Sequence, residues 1–202
     1  MTMTVGFVSV IISLIIGIIV GGIAGYYAGK VDILLMRVAE VVGSLPFIPL
    51  ALILSALIGN KVSEVGRIIL SWPGVAYMVR AQVLAERQKE FVTAAKALGV
   101  RERNIIFRHI VPNVMTIIIV NATLSFATCM LTESGLSFLG FGVSEPIPSW
   151  GNMLNDCRSS EVISQFWWRW IFPSIALALC TISINLFGDG LRKAVDPKSS
   201  ER

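Results

Sequence analysis

The chain has 202 residues, 54% of them hydrophobic and only 15% charged, with a net charge of +4 and a mean hydropathy of +0.74. An ordinary soluble globule carries about 25% charge. The composition therefore excludes a soluble domain, a nucleic-acid-binding domain and a disordered chain, and indicates an all-α polytopic membrane protein.

Five apolar stretches are expected as transmembrane helices, because a backbone in lipid must close its own hydrogen bonds. They run over 5–27, 41–58, 62–83, 110–131 and 167–187. The first is free of charge and carries Ser9, Ser13, Gly17, Gly21, Gly25 and Gly29 at every fourth position. That spacing makes a flat stripe on which a second helix packs closely. The third is the poorest. Only 12 uncharged residues separate Arg67 from Arg80, about 18 Å of helix against about 30 Å of hydrocarbon. Both arginines must snorkel to opposite interfaces for it to span, and Pro73 is expected to kink it.

Between the third and fourth spans lies a loop over 86–109, too long for a simple connector. Residues 86–98 read as a helix with Phe91, Ala95 and Leu98 on one face. Gly99 stands where a helix end needs positive φ. A second short helix over 101–109 leads into the membrane, and Pro112 falls in the first turns of the fourth span. Small Thr93, Ala94 and Ala95 just before the turn let this helix enter a groove on another protein, as a lever pushed by a partner. The loop over 132–166 is acidic and aromatic, with Glu133, Glu145, Asp156, Glu161 and Trp150, and Trp167, Trp168 and Trp170 follow as an interfacial belt. Near the end, Asp189 reads as a helix cap, Arg192 and Lys193 as headgroup anchors, and Pro197 as a helix stop.

Charge sets the expected orientation. With the C-terminus inside, 13 of the 17 Lys and Arg lie inside and 4 outside, which satisfies the positive-inside rule. Five spans then put the N-terminus outside, and a preceding span is expected to be missing from this chain. The chain reads as one transmembrane domain over 1–202.

Nothing in the sequence argues for covalent chemistry. The stretch ending in Gly29 and Lys30 lacks the first glycine and the Ser/Thr of a phosphate loop. His109 is the single histidine, without companions at ligand spacing. Cys129 and Cys180 lie within apolar spans and Cys157 has no evident partner, so neither a disulfide framework nor a metal site is expected. No cofactor, metal or nucleic acid is assigned to the chain.

The loop TAAKALG, with Pro112 thirteen residues after Gly99, resembles the EAA loop of ABC importer permeases. Ala94, Ala95, Gly99 and Pro112 match that pattern. Thr93 replaces its Glu, and His109 and Val111 replace its Ile and Leu. The stretches SWPGVAYMVR, ESGLSFLGFGVSEPIPSWGNML and NLFGDGLRKAVDP, at 71–80, 133–154 and 185–197, are similar to the dipeptide/oligopeptide/nickel permease family, on the side of its second permease subunit. The resemblance implies a permease subunit of an ATP-driven, binding-protein-dependent importer of di- or oligopeptides in a bacterial or archaeal cell membrane. It implies as partners a second permease, two ATP-binding cassette subunits that bind ATP and Mg, and an extracytoplasmic solute-binding protein. The loop residues Phe91, Thr93, Ala94, Ala95, Leu98, Gly99 and Pro112 would couple the chain to those cassettes, and Ser13, Gly17, Gly21, Gly25 and Gly29 would pack helices. Three alternatives stay open: a nickel or other small-solute permease of the same class, an ATP-independent carrier, and an incomplete, non-transporting fragment. A carrier favours ionisable groups in mid-span, for which only Glu133 qualifies, and it lies near a span's end.

Overall fold

A computed structural model describes residues 1–50, 53, 61–143 and 147–195, with the backbone alone for 61–70 and 195. Every regular element among the described residues is helical. In chain order they are α1 (Thr2–Tyr27), α2 (Gly29–Gly43), α3 (Lys61–Glu86), α4 (Glu90–Ala97), α5 (Glu102–Phe138), α6 (Trp150–Asn155), α7 (Ser160–Gln165) and α8 (Trp168–Val195). Within α5 the stretch Ile105–Ile110 is a π-helix.

Three of these helices, α1, α5 and α8, are long and apolar enough to cross a membrane. Three of the five expected spans, the first, fourth and fifth, fall on these helices. Seven of the 18 residues of the second expected span, 41–58, lie outside the described residues, and 47–50 are helical. Its first three residues end α2, and a turn follows at 44–45. The third expected span falls within α3, one 26-residue helix with Pro73 inside it.

The fourth span is expected to start at Ile110 with a separate short helix before it, but the helix that carries it, α5, is continuous from Glu102 for 37 residues. That is about 55 Å at 1.5 Å per residue. The physical reason is how Pro112 is absorbed. Proline offers no N–H to the carbonyl four residues back, and its ring presses on that carbonyl. The preceding turn widens, and the Val111 N–H reaches the Ile106 carbonyl five residues back, so the helix passes the proline without ending. The break between α1 and α2 has another cause. Ala28 has φ 52° and Gly29 φ 58°, a backbone region that disfavours an L side chain, so the helix cannot run through.

The residues form two compact units. One comprises Ile11–Leu45 and Leu70–Val120, the other Met1–Val10, Pro46–Ile69 and Asn121–Arg202. The first is built on a core of Val79, Val83, Val92, Ile105, Ile106 and Ile110, with Ala39, Trp72 and Ala76 as a satellite cluster. In the second, Gly6 packs on Phe126 and Met130, and Phe7 meets Phe126 edge to face at 6.3 Å. Its centre is polar. Glu133 is fully buried, and the Ser137 hydroxyl donates to its Oε1 at 2.6 Å while accepting from the Val143 N–H at 3.2 Å. Asn152 and Asn155 donate to the carbonyls of Val143 and Phe138 at 2.9 and 2.8 Å. These bonds fix the start and end of the irregular stretch before α6, where backbone groups lack helical partners.

Candidate functional site

The loop singled out in the sequence folds as follows. The helix expected over 86–98 is two helices. α3 runs on to Glu86, and α4 occupies Glu90–Ala97 after a break at 87–89. Lys89, with φ −73° and ψ 152°, is the extended residue that starts α4, and its ammonium holds Glu86 at 2.6 Å. Arg87 turns away and donates to the carbonyls of Tyr26 at 2.9 Å and Gly25 at 3.5 Å. Those carbonyls end α1 and have no partner in their own helix, so a cation there satisfies the helix end.

The apolar residues of this loop helix divide between two sides. Val92 and Ala95 point into the core, at 0% and 8% exposure, whereas Leu98 is 83% exposed. Phe91, Thr93 and Ala94 are exposed as well. Phe91 and Leu98 therefore do not share a packed face with Ala95. The loop has two apolar sides, and apolar periodicity by itself cannot say which one the protein covers. At the end of α4, Gly99 takes φ +72°. Its N–H bonds to the Lys96 carbonyl at 3.0 Å, and the Val100 N–H bonds to the Ala95 carbonyl at 3.1 Å, a Schellman closure. Val100 then packs on the same core, and the chain enters α5, where Pro112 lies about three turns inside the helix.

The small-residue stripe of α1 lies against α3. A Cβ added at Gly17 would sit 2.5 Å from the Val75 side chain, at Gly21 2.5 Å from the Ala76 carbonyl oxygen, and at Gly25 2.8 Å from the Arg80 carbonyl oxygen. Three successive turns of α1 thus leave no room for a side chain. The Ser13 and Ser71 hydroxyls hydrogen-bond to each other one turn away. Gly29 does not join the stripe. It lies past the end of α1, and nothing stands within 4 Å of a Cβ built there.

Two features escape sequence reading. Lys96 of α4 lies over the Tyr26 ring at 4.9 Å, a cation–π contact. Asp32 of α2 and Arg80 of α3 form a two-pronged ion pair at 2.5 and 2.6 Å, with Asp32 8% exposed. A charge inside an apolar stretch signals a partner but does not name it, and these two are 48 residues apart. The three cysteines are thiols. No cluster of three metal-ligating side chains occurs among the described residues.

Residues 13–201 match the family described as "binding-protein-dependent transport system inner membrane component". The oligopeptide transport system permease protein of Haemophilus influenzae is 42% identical over 98% of this chain and 64% of its own length. The dipeptide transport system permease protein of Bacillus subtilis is 38% identical over 98% and 62%, and the oligopeptide permease of Escherichia coli 41% identical over 84% and 56%. The chain thus spans less than two thirds of the length of these relatives. In fold it is similar to a chain of the MetNI methionine ABC transporter in an inward-facing form, with a TM-score of 0.75, 20% identity, and coverage of 96% of this chain and 93% of that one. The match over nearly the whole sequence and the shared helical fold lead to one assignment: the chain belongs to the family of inner membrane components of binding-protein-dependent transport systems.

Proposed function

We propose that this chain is a permease subunit of an ATP-driven importer of di- or oligopeptides, working as one transmembrane domain of five spans with its C-terminus in the cytoplasm. It lines the translocation path with a second permease and takes its substrate from an extracytoplasmic binding protein. Two ATP-binding cassettes bind and hydrolyse ATP with Mg, so the chain itself is no enzyme and holds no cofactor. The peptide substrate is inferred from the oligopeptide and dipeptide permeases to which it is similar.

The observation that carries this reading is the division of labour on α4. Its inner side, Val92 and Ala95, is seated in the core, while Phe91, Thr93, Ala94 and Leu98 are left outward. An apolar outward face on a helix fixed from beneath suits a cassette groove. Gly99 sets the turn by which α4 leads to α5, and Pro112 lies farther along α5, just after its π-turn. Arg87 and Lys96 tie α4 to the end of α1, and the stripe Ser13, Gly17, Gly21 and Gly25 ties α1 to α3, so a push on α4 moves these helices together. Gly29 acts in this scheme at the joint between α1 and α2 and not in the packing.

The test uses the chain reconstituted in liposomes with its permease, cassettes and binding protein. Ala94→Arg or Leu98→Arg places a charge on the outward face without entering the core. Each should abolish peptide-stimulated ATP hydrolysis and peptide uptake while the chain remains folded in the membrane. Full stimulation in both variants would refute the coupling role.

A further inference from the structure

Where α8 begins, at the end of an apolar helix long enough to cross a membrane, a groove of about 460 Å3 opens between the α6 segment and α8. Two opposite charges line it, Asp156 at the end of α6 and Arg169 in the first turn of α8. Both side chains are exposed, and no ion pair among the described residues uses either of them. The walls are Trp150, Trp168, Phe172 and Pro173.

The order of these groups along α8 is informative. Phe172 and Pro173 stand three and four positions after Arg169, on the same side of the helix. Beyond them the surface stays apolar, with Ile175 and Leu179 at 49% and 60% exposure. The groove therefore runs from a pair of unlike charges, through an aromatic collar, to an open hydrocarbon wall. Tryptophans prefer that middle position at a membrane interface. A peptide laid along the wall would leave its backbone amides without partners, whereas an acyl chain has none to satisfy. Opposite charges that do not close on each other complement a molecule that carries both.

We propose that this groove binds a zwitterionic phospholipid with a primary ammonium head group. The ammonium donates to the Asp156 carboxylate, the phosphate accepts from the Arg169 guanidinium, and one acyl chain lies on Phe172 and Pro173. The inference rests on the groove alone and stands whichever solute the transporter carries.

The test is native mass spectrometry of the transporter complex released from detergent micelles, supplied with phosphatidylethanolamine, phosphatidylcholine or phosphatidylglycerol of identical acyl chains. A trimethylammonium head group cannot donate a hydrogen bond, and a glycerol head group carries no cation. Phosphatidylethanolamine should be retained about tenfold more than either, the worth of one charge-assisted hydrogen bond. Asp156→Asn should reduce its retention to that of phosphatidylcholine, Asp156→Glu should keep the preference, and Arg169→Gln should lower retention of all three. Equal retention of phosphatidylethanolamine and phosphatidylcholine by the unaltered chain overturns the proposal. So does an unchanged preference in Asp156→Asn. Displacement of the lipid by an added dipeptide would also overturn it, in favour of a peptide-receiving groove.

Discussion

Gly21 and Gly22 are neighbours on α1, and the structure sets them apart sharply. A Cβ at Gly21 would stand 2.5 Å from the Ala76 carbonyl oxygen and 3.0 Å from the Arg80 backbone nitrogen, whereas a Cβ at Gly22 meets only Ile106 Cγ2, at 3.5 Å. Carbon and carbonyl oxygen approach no closer than about 3.3 Å. Gly21→Ala must therefore part the two helix backbones by about 0.8 Å, since a carbonyl, unlike a side chain, has no rotamer by which to step aside. Overpacking of this kind costs about 1–3 kcal/mol, and a backbone clash belongs at the upper end. Both variants share the helix-propensity gain of glycine to alanine, about 1 kcal/mol, so their difference isolates the packing. Equilibrium unfolding of the purified chain by SDS in mixed micelles should find Gly21→Ala about 2–3 kcal/mol less stable than Gly22→Ala. A difference below about 0.5 kcal/mol, the scatter of ordinary surface substitutions, would refute close packing of α1 on α3.

Asp32→Asn and Arg80→Gln should each destabilise the fold by about 2 kcal/mol, less than the 3–5 of a fully buried broken pair because the Arg80 side chain is 33% exposed. The double variant should cost clearly less than the sum in the same unfolding assay, and strict additivity would show that the pair does not interact. Ser137→Ala should cost about 2–4 kcal/mol, because Glu133 Oε1 and the Val143 N–H both lose their buried partner. A Tm equal to that of the unaltered chain would sink that account of the polar centre. Gly99→Ala should cost about 1 kcal/mol at φ +72°, with Gly99→Asn costing less. Equal stability of all three chains would show that the positive φ at this position carries no cost.

Some of this was legible in one dimension. The membrane class follows from composition, because so few charges cannot cover a soluble surface. The stripe at Gly17, Gly21 and Gly25 follows from a period of four, because helix geometry puts those positions in one line whatever they pack on. The turn at Gly99 follows from a residue type that a positive φ requires. These are local properties, carried by the chain wherever it goes.

What the sequence left open needed a partner from elsewhere in the chain. Periodicity put Phe91, Ala95 and Leu98 on one face, yet only Ala95 is covered, together with Val92. A docking face and a core face are both apolar, and only the neighbours in space, Ile105 and Ile106 among them, decide which side is inside. Gly29 kept the period of the stripe but lies beyond the helix that would align it. Pro112 falls in the first turns of the expected fourth span, but the π-turn before it lets α5 run unbroken from Glu102. Asp32 and Arg80 find each other across 48 residues. Sequence by itself determined the helical, apolar character of the chain, the stripe and the turn, because their causes act within a few residues. Tertiary structure alone decided which apolar faces are buried and which charges are paired, because burial and Coulomb attraction depend on distance in space and not along the chain.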